Sequence, residues 1–345
     1  MFGDDKSKYR YEVVDGFFRR PKWWGFVEVA DVDIDSQDNV YVFNRSSRPV
    51  MIFDKQGNFL DAWGEMSPHY FTLPHGISIG PDGSVFTADA GDHTVRKWTS
   101  NGKSLMTLGR ARRNSPEYSG QPFNKPSGCA VASNGDLYVS DGYGNAHVHC
   151  YDSAGTLKFS WGGHGGGPGE FDLIHSVFVD RQDGDKVYIA DRYNNRVQFF
   201  TSKGEFLGQW KNLLLPNSVR RGRDGNFYIA EMDHRITVCN SSGAVLARWG
   251  EGVEVDDTET GRGDAPSLHE TSPANELDST QPLPTAPSRN PMIKGAVTNE
   301  PGPGLFCAPH GIAVDSEGSI YVADVAESLS GLDRGSRCIQ KFVRV

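Results

Sequence analysis

Ile174-His175-Ser176-Val177-Phe178-Val179-Asp180, then Asp183-Gly184, then Val187-Tyr188-Ile189-Ala190-Asp191-Arg192-Tyr193-Asn194-Asn195-Arg196-Val197-Gln198-Phe199-Phe200, carry one nearly complete unit of this chain. An apolar strand runs into an Asp-Gly turn, a strand of aromatic and β-branched residues follows, and a polar loop leads to a third strand. Asp-Gly and Asn-Gly between alternating runs favour tight hairpins, because these residues accept the positive φ that the turn needs. Equivalent markers stand at Asp38-Asn39, Asp82-Gly83, Asn134-Gly135, Asp224-Gly225 and Glu317-Gly318. The second strand recurs as Val40-Tyr41-Val42-Phe43, Leu137-Tyr138-Val139-Ser140, Phe227-Tyr228-Ile229-Ala230 and Ile320-Tyr321-Val322-Ala323. A fourth strand ends in Trp63-Gly64, Trp161-Gly162 and Trp249-Gly250. Four strands in a period of roughly 40–50 residues define propeller blades. Six markers predict an all-β, six-bladed β-propeller, one domain over residues 1–345.

The last copy, ending in Cys338-Ile339-Gln340-Lys341-Phe342, supplies three strands. Tyr9-Arg10-Tyr11-Glu12-Val13-Val14 is predicted to add its outer strand, closing the ring and removing exposed sheet edges. One stretch breaks the pattern. Residues 251–304, between blades five and six, are rich in Pro, Thr, Ser, Asp and Glu and do not alternate. Such composition predicts an irregular insertion. A lid, a loose surface loop and an arm to a second copy of the chain are all open readings, the last implying a homo-oligomer.

The 345 residues carry 35 Lys and Arg against 44 Asp and Glu, a formal net charge of −9. That balance excludes a broad nucleic-acid surface, and the run Arg110-Ala111-Arg112-Arg113 is too short to reverse it. No apolar run approaches the ~18 residues that span a bilayer, and Met1–Lys6 does not read as a secretory leader. Five cysteines, Cys129, Cys150, Cys239, Cys307 and Cys338, lack a CxxC pair and read as reduced thiols. The expectation is a cytoplasmic protein with a small-molecule substrate and neither nucleic-acid nor membrane partners.

Strand direction decides which residues meet. The start of each inner strand, the loop between second and third strands, and the connection to the next blade share one face. Counting back from the turn markers puts Asp31, His75, Ser127, His175, Asn217 and His310 at one ring position, with histidine in blades two, four and six. Neutral imidazoles converging on an axis suit Zn²⁺, and three of them leave a position open for chemistry. The same face receives Arg45, Arg48, Tyr143, Arg192 and Tyr193. Asp89, Asp141, Asp191, Glu231 and Asp324, which end the second strands, recur too regularly for catalysis and are expected to accept backbone N–H bonds within their turns.

The unit Pro309-His310-Gly311-Ile312-Ala313-Val314-Asp315, with Gly318-Ser319-Ile320-Tyr321-Val322-Ala323-Asp324, resembles NHL-repeat propellers across nearly the whole chain. Leu73-Pro74-His75-Gly76, Val139-Ser140-Asp141-Gly142-Tyr143, Ile174-His175-Ser176 and Ala190-Asp191-Arg192 resemble the peptidyl-α-hydroxyglycine α-amidating lyases. Those are zinc enzymes that split a carbinolamide into an amide and an aldehyde. The resemblance implies that His75, His175 and His310 hold Zn²⁺, that Tyr143 and Arg45 are catalytic, and that Arg192 faces substrate. Arg48, in the loop of Arg45, is a further substrate-binding candidate. The family has Asp directly after its third zinc histidine and Met two residues before it; this chain has Gly311 and Ala308, and the family's structural Ca²⁺ is not carried over. Gly144 replaces a disulfide cysteine.

The mechanism implied is polarisation of the substrate oxygen by zinc, transfer of the hydroxyl proton to Tyr143 and capture of a substrate carboxylate by Arg45 or Arg192. The expected substrate is a small α-hydroxy-amide and not a secreted peptide hormone precursor. Two other readings stay open: a metal-dependent hydrolase of an amide, lactone or ester on the same site, and a non-catalytic interaction module.

Overall fold

The computed structural model describes residues 9–65, 70–250 and 301–345. The strands in them form six separate four-stranded antiparallel sheets. Their inner strands, Val29–Ile34, Pro74–Ile79, Gly128–Val131, Ile174–Asp180, Pro216–Arg221 and Pro309–Val314, neighbour one another in that order. The sixth returns to the first, giving the six-bladed ring expected from the turn markers. Tyr11–Val14 pairs antiparallel with Ile339–Arg344 and is the outer strand of blade six. Tyr11 also stacks on Trp249 of blade five, ring centroids 5.2 Å apart, so closure joins two blades as well as two ends of the chain. Of the 251–304 insertion, all but residues 301–304 lies outside the described residues. Among the described residues no helix is long and apolar enough to cross a membrane.

The core is divided among the interfaces between neighbouring blades. Val177, Val179, Val187, Ile189 and Phe200 of blade four pack on Ala130, Tyr138, Val148 and Cys150 of blade three. Blade five meets blade six through Tyr228, Ala230, Ile236, Val238, Ile312, Ile320 and Val322. Each sheet therefore buries both faces, which is why its central strands read as nearly continuous apolar runs.

Two local devices turn this frame into a site. The first is a bulge. The inner strands of blades one, two, four, five and six shift register at Val29/Asp31, Pro74/Gly76, Ile174/Ser176, Pro216/Ser218 and Pro309/Gly311. The unpaired residues are Ala30, His75, His175, Asn217 and His310. A bulge re-aims the side chain it carries. Blade one thus differs from the sequence count: Ala30, not Asp31, holds its ring position. Asp38 takes the left-handed conformation (φ 62°) that Gly83 takes in blade two (φ 77°), so its turn marker sits one residue later than its neighbours.

The second device is a buried carboxylate at the end of each second strand in blades two to six. These groups reach beyond their own turns to grip the loop that brings the chain into the blade. Asp89 accepts the N–H groups of Thr72 (2.7 Å) and Leu73 (2.8 Å), Asp141 that of Asn124 (2.8 Å), and Asp191 that of Asp172 (2.8 Å). Glu231 accepts from Leu214, and Asp324 from Cys307 and Ala308 (2.9 and 2.7 Å). A partner from beyond the second strand neutralises most of them: Arg196 Nε lies 2.6 Å from Asp191, and Arg235 Nη2 lies 2.6 Å from Glu231. Arg334 pairs with Asp324, both fully buried, and also donates to the carbonyls of Pro301 (3.0 Å) and Leu305 (3.1 Å). Removing one member of such a pair strands its partner's charge. Asp324→Ala should cost about 3–5 kcal/mol in unfolding free energy by denaturant titration. A loss near that of a surface substitution would show that the carboxylate is not a structural staple.

Candidate metal centre

His75, His175 and His310 are each buried and enter the axis from alternate blades. Their ring centroids lie 4.9, 4.8 and 4.4 Å apart, and one ligand atom from each falls within 4.8 Å of the others. The tautomer follows from the partners. His75 Nδ1 is 2.5 Å from the carbonyl oxygen of Ser127, His175 Nδ1 2.9 Å from that of Asn217, and His310 Nδ1 2.5 Å from that of Ala30. A carbonyl oxygen only accepts, so Nδ1 carries the proton in all three rings and each Nε2 keeps its lone pair. Every acceptor belongs to the next blade. Metal-binding histidines are oriented by just such a second bond.

Electrostatics point the same way. Burial, with the charges of Arg45 and then Arg192, lowers the His75 pKa to about 3. Burial likewise pushes His175 and His310 well below the ordinary imidazole range. His175 Nε2 is buried without a hydrogen-bond partner. A cluster of neutral imidazoles at the end of a protein channel, one lone pair left unsatisfied, fits a divalent transition metal.

Calcium fits less well. Among the described residues this triad is the one group of three or more His, Cys, Asp or Glu placed to hold an ion. The channel carboxylate below it, Asp31, already accepts Ile77 N–H (3.0 Å) and Val32 N–H (2.9 Å) and lies 3.9 Å from Arg220. A Cβ on Gly311 would come within 2.7 Å of Asp31 Cα. Asp31 therefore fills the room that an acidic side chain at position 311 would need.

Tyr143 and Arg192 join the triad. The Tyr143 hydroxyl donates to His75 Nε2 at 2.8 Å, and its ring packs edge-on against His75. Arg192 is buried, with its guanidinium 5.6 Å from the Tyr143 ring centre and 5.1 Å from that of Tyr193. Its Nη1 donates to Asn217 Oδ1 (3.2 Å) and Met232 Sδ (3.4 Å), while its Nε is buried without a hydrogen-bond partner. Arg45 is near but engaged: Nη1 lies 2.7 Å from Glu28, and Nε donates to the Pro74 carbonyl at 3.2 Å. Its contacts thus serve the frame of the site. Arg48 lies over Trp24, which packs on Phe59 of the outer strand of blade one. Glu28 was not singled out by sequence, and Ser127 and Asn217 were placed on the ring without the hydrogen bonds they make, because those partners are distant in the chain and no local motif marks them.

The NHL repeat family matches residues 71–98 and 306–328, and a family described as a 6-bladed beta-propeller matches 128–241. Human NHL repeat-containing protein 3 is 31% identical over 241 residues, covering 65% of this chain and 67% of that protein. The chain belongs to the NHL-repeat β-propellers. Peptidyl-alpha-hydroxyglycine alpha-amidating lyase 1 of Drosophila melanogaster is 34% identical over 227 residues, which is 55% of this NHL propeller but 41% of that enzyme. A streptogramin B lyase structure superposes with a TM-score of 0.56 at 13% identity, covering 97% of both chains. A gluconolactonase from Xanthomonas campestris gives 0.57 at 12% identity, over 92% of this chain and 86% of that one. At such identities these two structures speak to the fold alone.

The depressed histidines make stability depend on pH. Unfolded imidazole titrates near 6.5, whereas the folded triad stays neutral well below that. The unfolded chain therefore binds more protons as pH falls through 6.5, and folding is weakened by about 1.4 kcal/mol per pH unit for each histidine. Asp31, raised to about 6 by burial, contributes the opposite sign as pH falls through 6 towards the ordinary carboxylate range. Unfolding free energies of the metal-free protein between pH 7.5 and 5 should fall with pH, and His175→Gln should remove one proton's worth of that slope. An unchanged slope in the variant would mean that His175 is charged in the fold.

Proposed function

We propose that this propeller is a zinc-dependent carbon–nitrogen lyase for small carbinolamides bearing a carboxylate. The observation that carries the reading is one arrangement: three inward Nε2 atoms, a phenol bonded to one of them, and a buried guanidinium with an unpaired N–H beside that phenol. Likeness to the Drosophila amidating lyase supports it. Zinc held by His75, His175 and His310 would act as a Lewis acid toward the substrate oxygen.

The chain's own residues account for the remaining work. Arg192 binds the carboxylate through donors that have few other partners, and its planar fork fixes the substrate's orientation. With a metal on His75 Nε2 the phenol would no longer donate there; having lost that proton to solvent, Tyr143 would act as the phenolate and accept the hydroxyl proton. The carbinol oxygen then forms a carbonyl, the carbon–nitrogen bond breaks, and the electron pair leaves on the amide nitrogen. Tyr143 returns the proton to that nitrogen, so the step balances without an oxidant or added water. Arg45 sets the charge of the site from the opposite side, locked by Glu28. The free, buried cysteines accord with a reducing, cytoplasmic setting.

The zinc-loaded protein should convert N-benzoyl-α-hydroxyglycine to benzamide and glyoxylate, with no solvent oxygen-18 entering the amide. Benzoate carrying the label would contradict the lyase reading and favour a hydrolase. His175→Ala should lose both bound metal and turnover. Tyr143→Phe should keep the metal and lower kcat by about 10²–10⁴-fold, the usual contribution of a proton-transfer group; an undiminished kcat would remove Tyr143 from the reaction.

A further inference from the structure

The ring position holds a second set of bonds that runs in step with the first. The residue before each histidine has its carbonyl held by a side chain of the preceding blade. Arg45 Nε donates to Pro74 at 3.2 Å, Ser127 Oγ to Ile174 at 2.8 Å, and Asn217 Nδ2 to Pro309 at 2.8 Å. Each histidine in turn donates Nδ1–H to the ring residue of the following blade. The two sets alternate around the axis as a belt: Ser127 and Asn217 each accept from one histidine through the backbone and position the next through the side chain. Blade one offers only Ala30, which has no polar side chain, so Arg45 reaches over from its top loop to do that work.

Asn217 does more than Ser127. A carbonyl oxygen must accept and a guanidinium must donate, so the Asn217 amide is fixed with Nδ2 on Pro309 and Oδ1 on Arg192 Nη1. Its side chain is fully buried, and its backbone oxygen holds His175. One residue therefore touches the frames of two metal ligands and the buried Arg192 guanidinium. From this geometry we infer that Asn217 is a positioning residue that couples the metal ligands His175 and His310 to the anion-holding Arg192. The inference rests on the metal-site reading of the triad and on the proposed carboxylate-binding role of Arg192, and is independent of which reaction occurs there.

The protein supplies its own control, since Ser127 shows that a serine at this ring position can hold the next blade's carbonyl. Asn217→Ser should keep the donor to Pro309 and lose the acceptor for Arg192; Asn217→Ala should lose both. Zinc release from the loaded full-length protein to the chelator 4-(2-pyridylazo)resorcinol, measured without substrate, should be about 10–100-fold faster in Asn217→Ala and close to wild type in Asn217→Ser. Binding of N-benzoylglycine, a carboxylate that cannot react, should weaken in both variants by calorimetry. Zinc release at the wild-type rate in Asn217→Ala, or equally fast release from both variants, would overturn the ligand half of the inference. Unchanged binding of N-benzoylglycine in Asn217→Ser, or no binding by the wild type, would overturn the Arg192 half. Neither readout uses turnover, so failure of the lyase reading would show separately as no cleavage of N-benzoyl-α-hydroxyglycine.

Discussion

Three N–H···O=C bonds across blade borders control the centre of this propeller. Each fixes a histidine by its outer nitrogen on the backbone of the next blade and turns the inner nitrogen toward the axis, where Tyr143 meets that of His75 and that of His175 has no partner. A backbone carbonyl cannot rotate away or change protonation, so the tautomer is as rigid as the ring of inner strands. Desolvation then keeps the imidazoles neutral. The arrangement is costly unless something accepts the exposed lone pairs, which is the physical ground for reading it as a metal centre.

Everything around the triad preserves that geometry. The bulges turn the ring residues toward the axis, and glycine after two of the histidines lets neighbouring inner strands approach closely. A Cβ on Gly76 would come within 2.7 Å of Gly128 Cα. The buried carboxylates staple the loops that enter blades two to six, so residues far apart in sequence arrive at fixed heights on one face. In blade one Asn44 takes the corresponding place, with its amide on the carbonyls of Arg48 and Pro49.

The fold was legible because hairpin turns and period-two alternation are local signals that survive without tertiary context. The histidines were legible because a ring repeats position as well as pattern. Blade one shows the limit of counting: Asp38 adopts φ 62° where other blades use glycine, so the marker slipped by one residue and Asp31 was read for Ala30. Asp31 instead lies one step deeper, where it takes Ile77 N–H and faces Arg220. Arg45 was legible as a residue of the right face but not as a strut, since its binding to Glu28 and Pro74 depends on side-chain direction. No turn, spacing or composition marks Asn217 as the meeting point of two ligands and an arginine.

The relatives agree on a propeller and diverge in what their names say they do, so the centre has to carry the functional argument. X-ray absorption at the zinc edge of the purified, zinc-supplemented protein tests that centre most directly. The account predicts one zinc per chain with three imidazole nitrogens at about 2.0–2.1 Å and a light-atom fourth ligand, and predicts that His310→Ala abolishes the signal. Absence of bound zinc, or a shell containing sulfur, would contradict it.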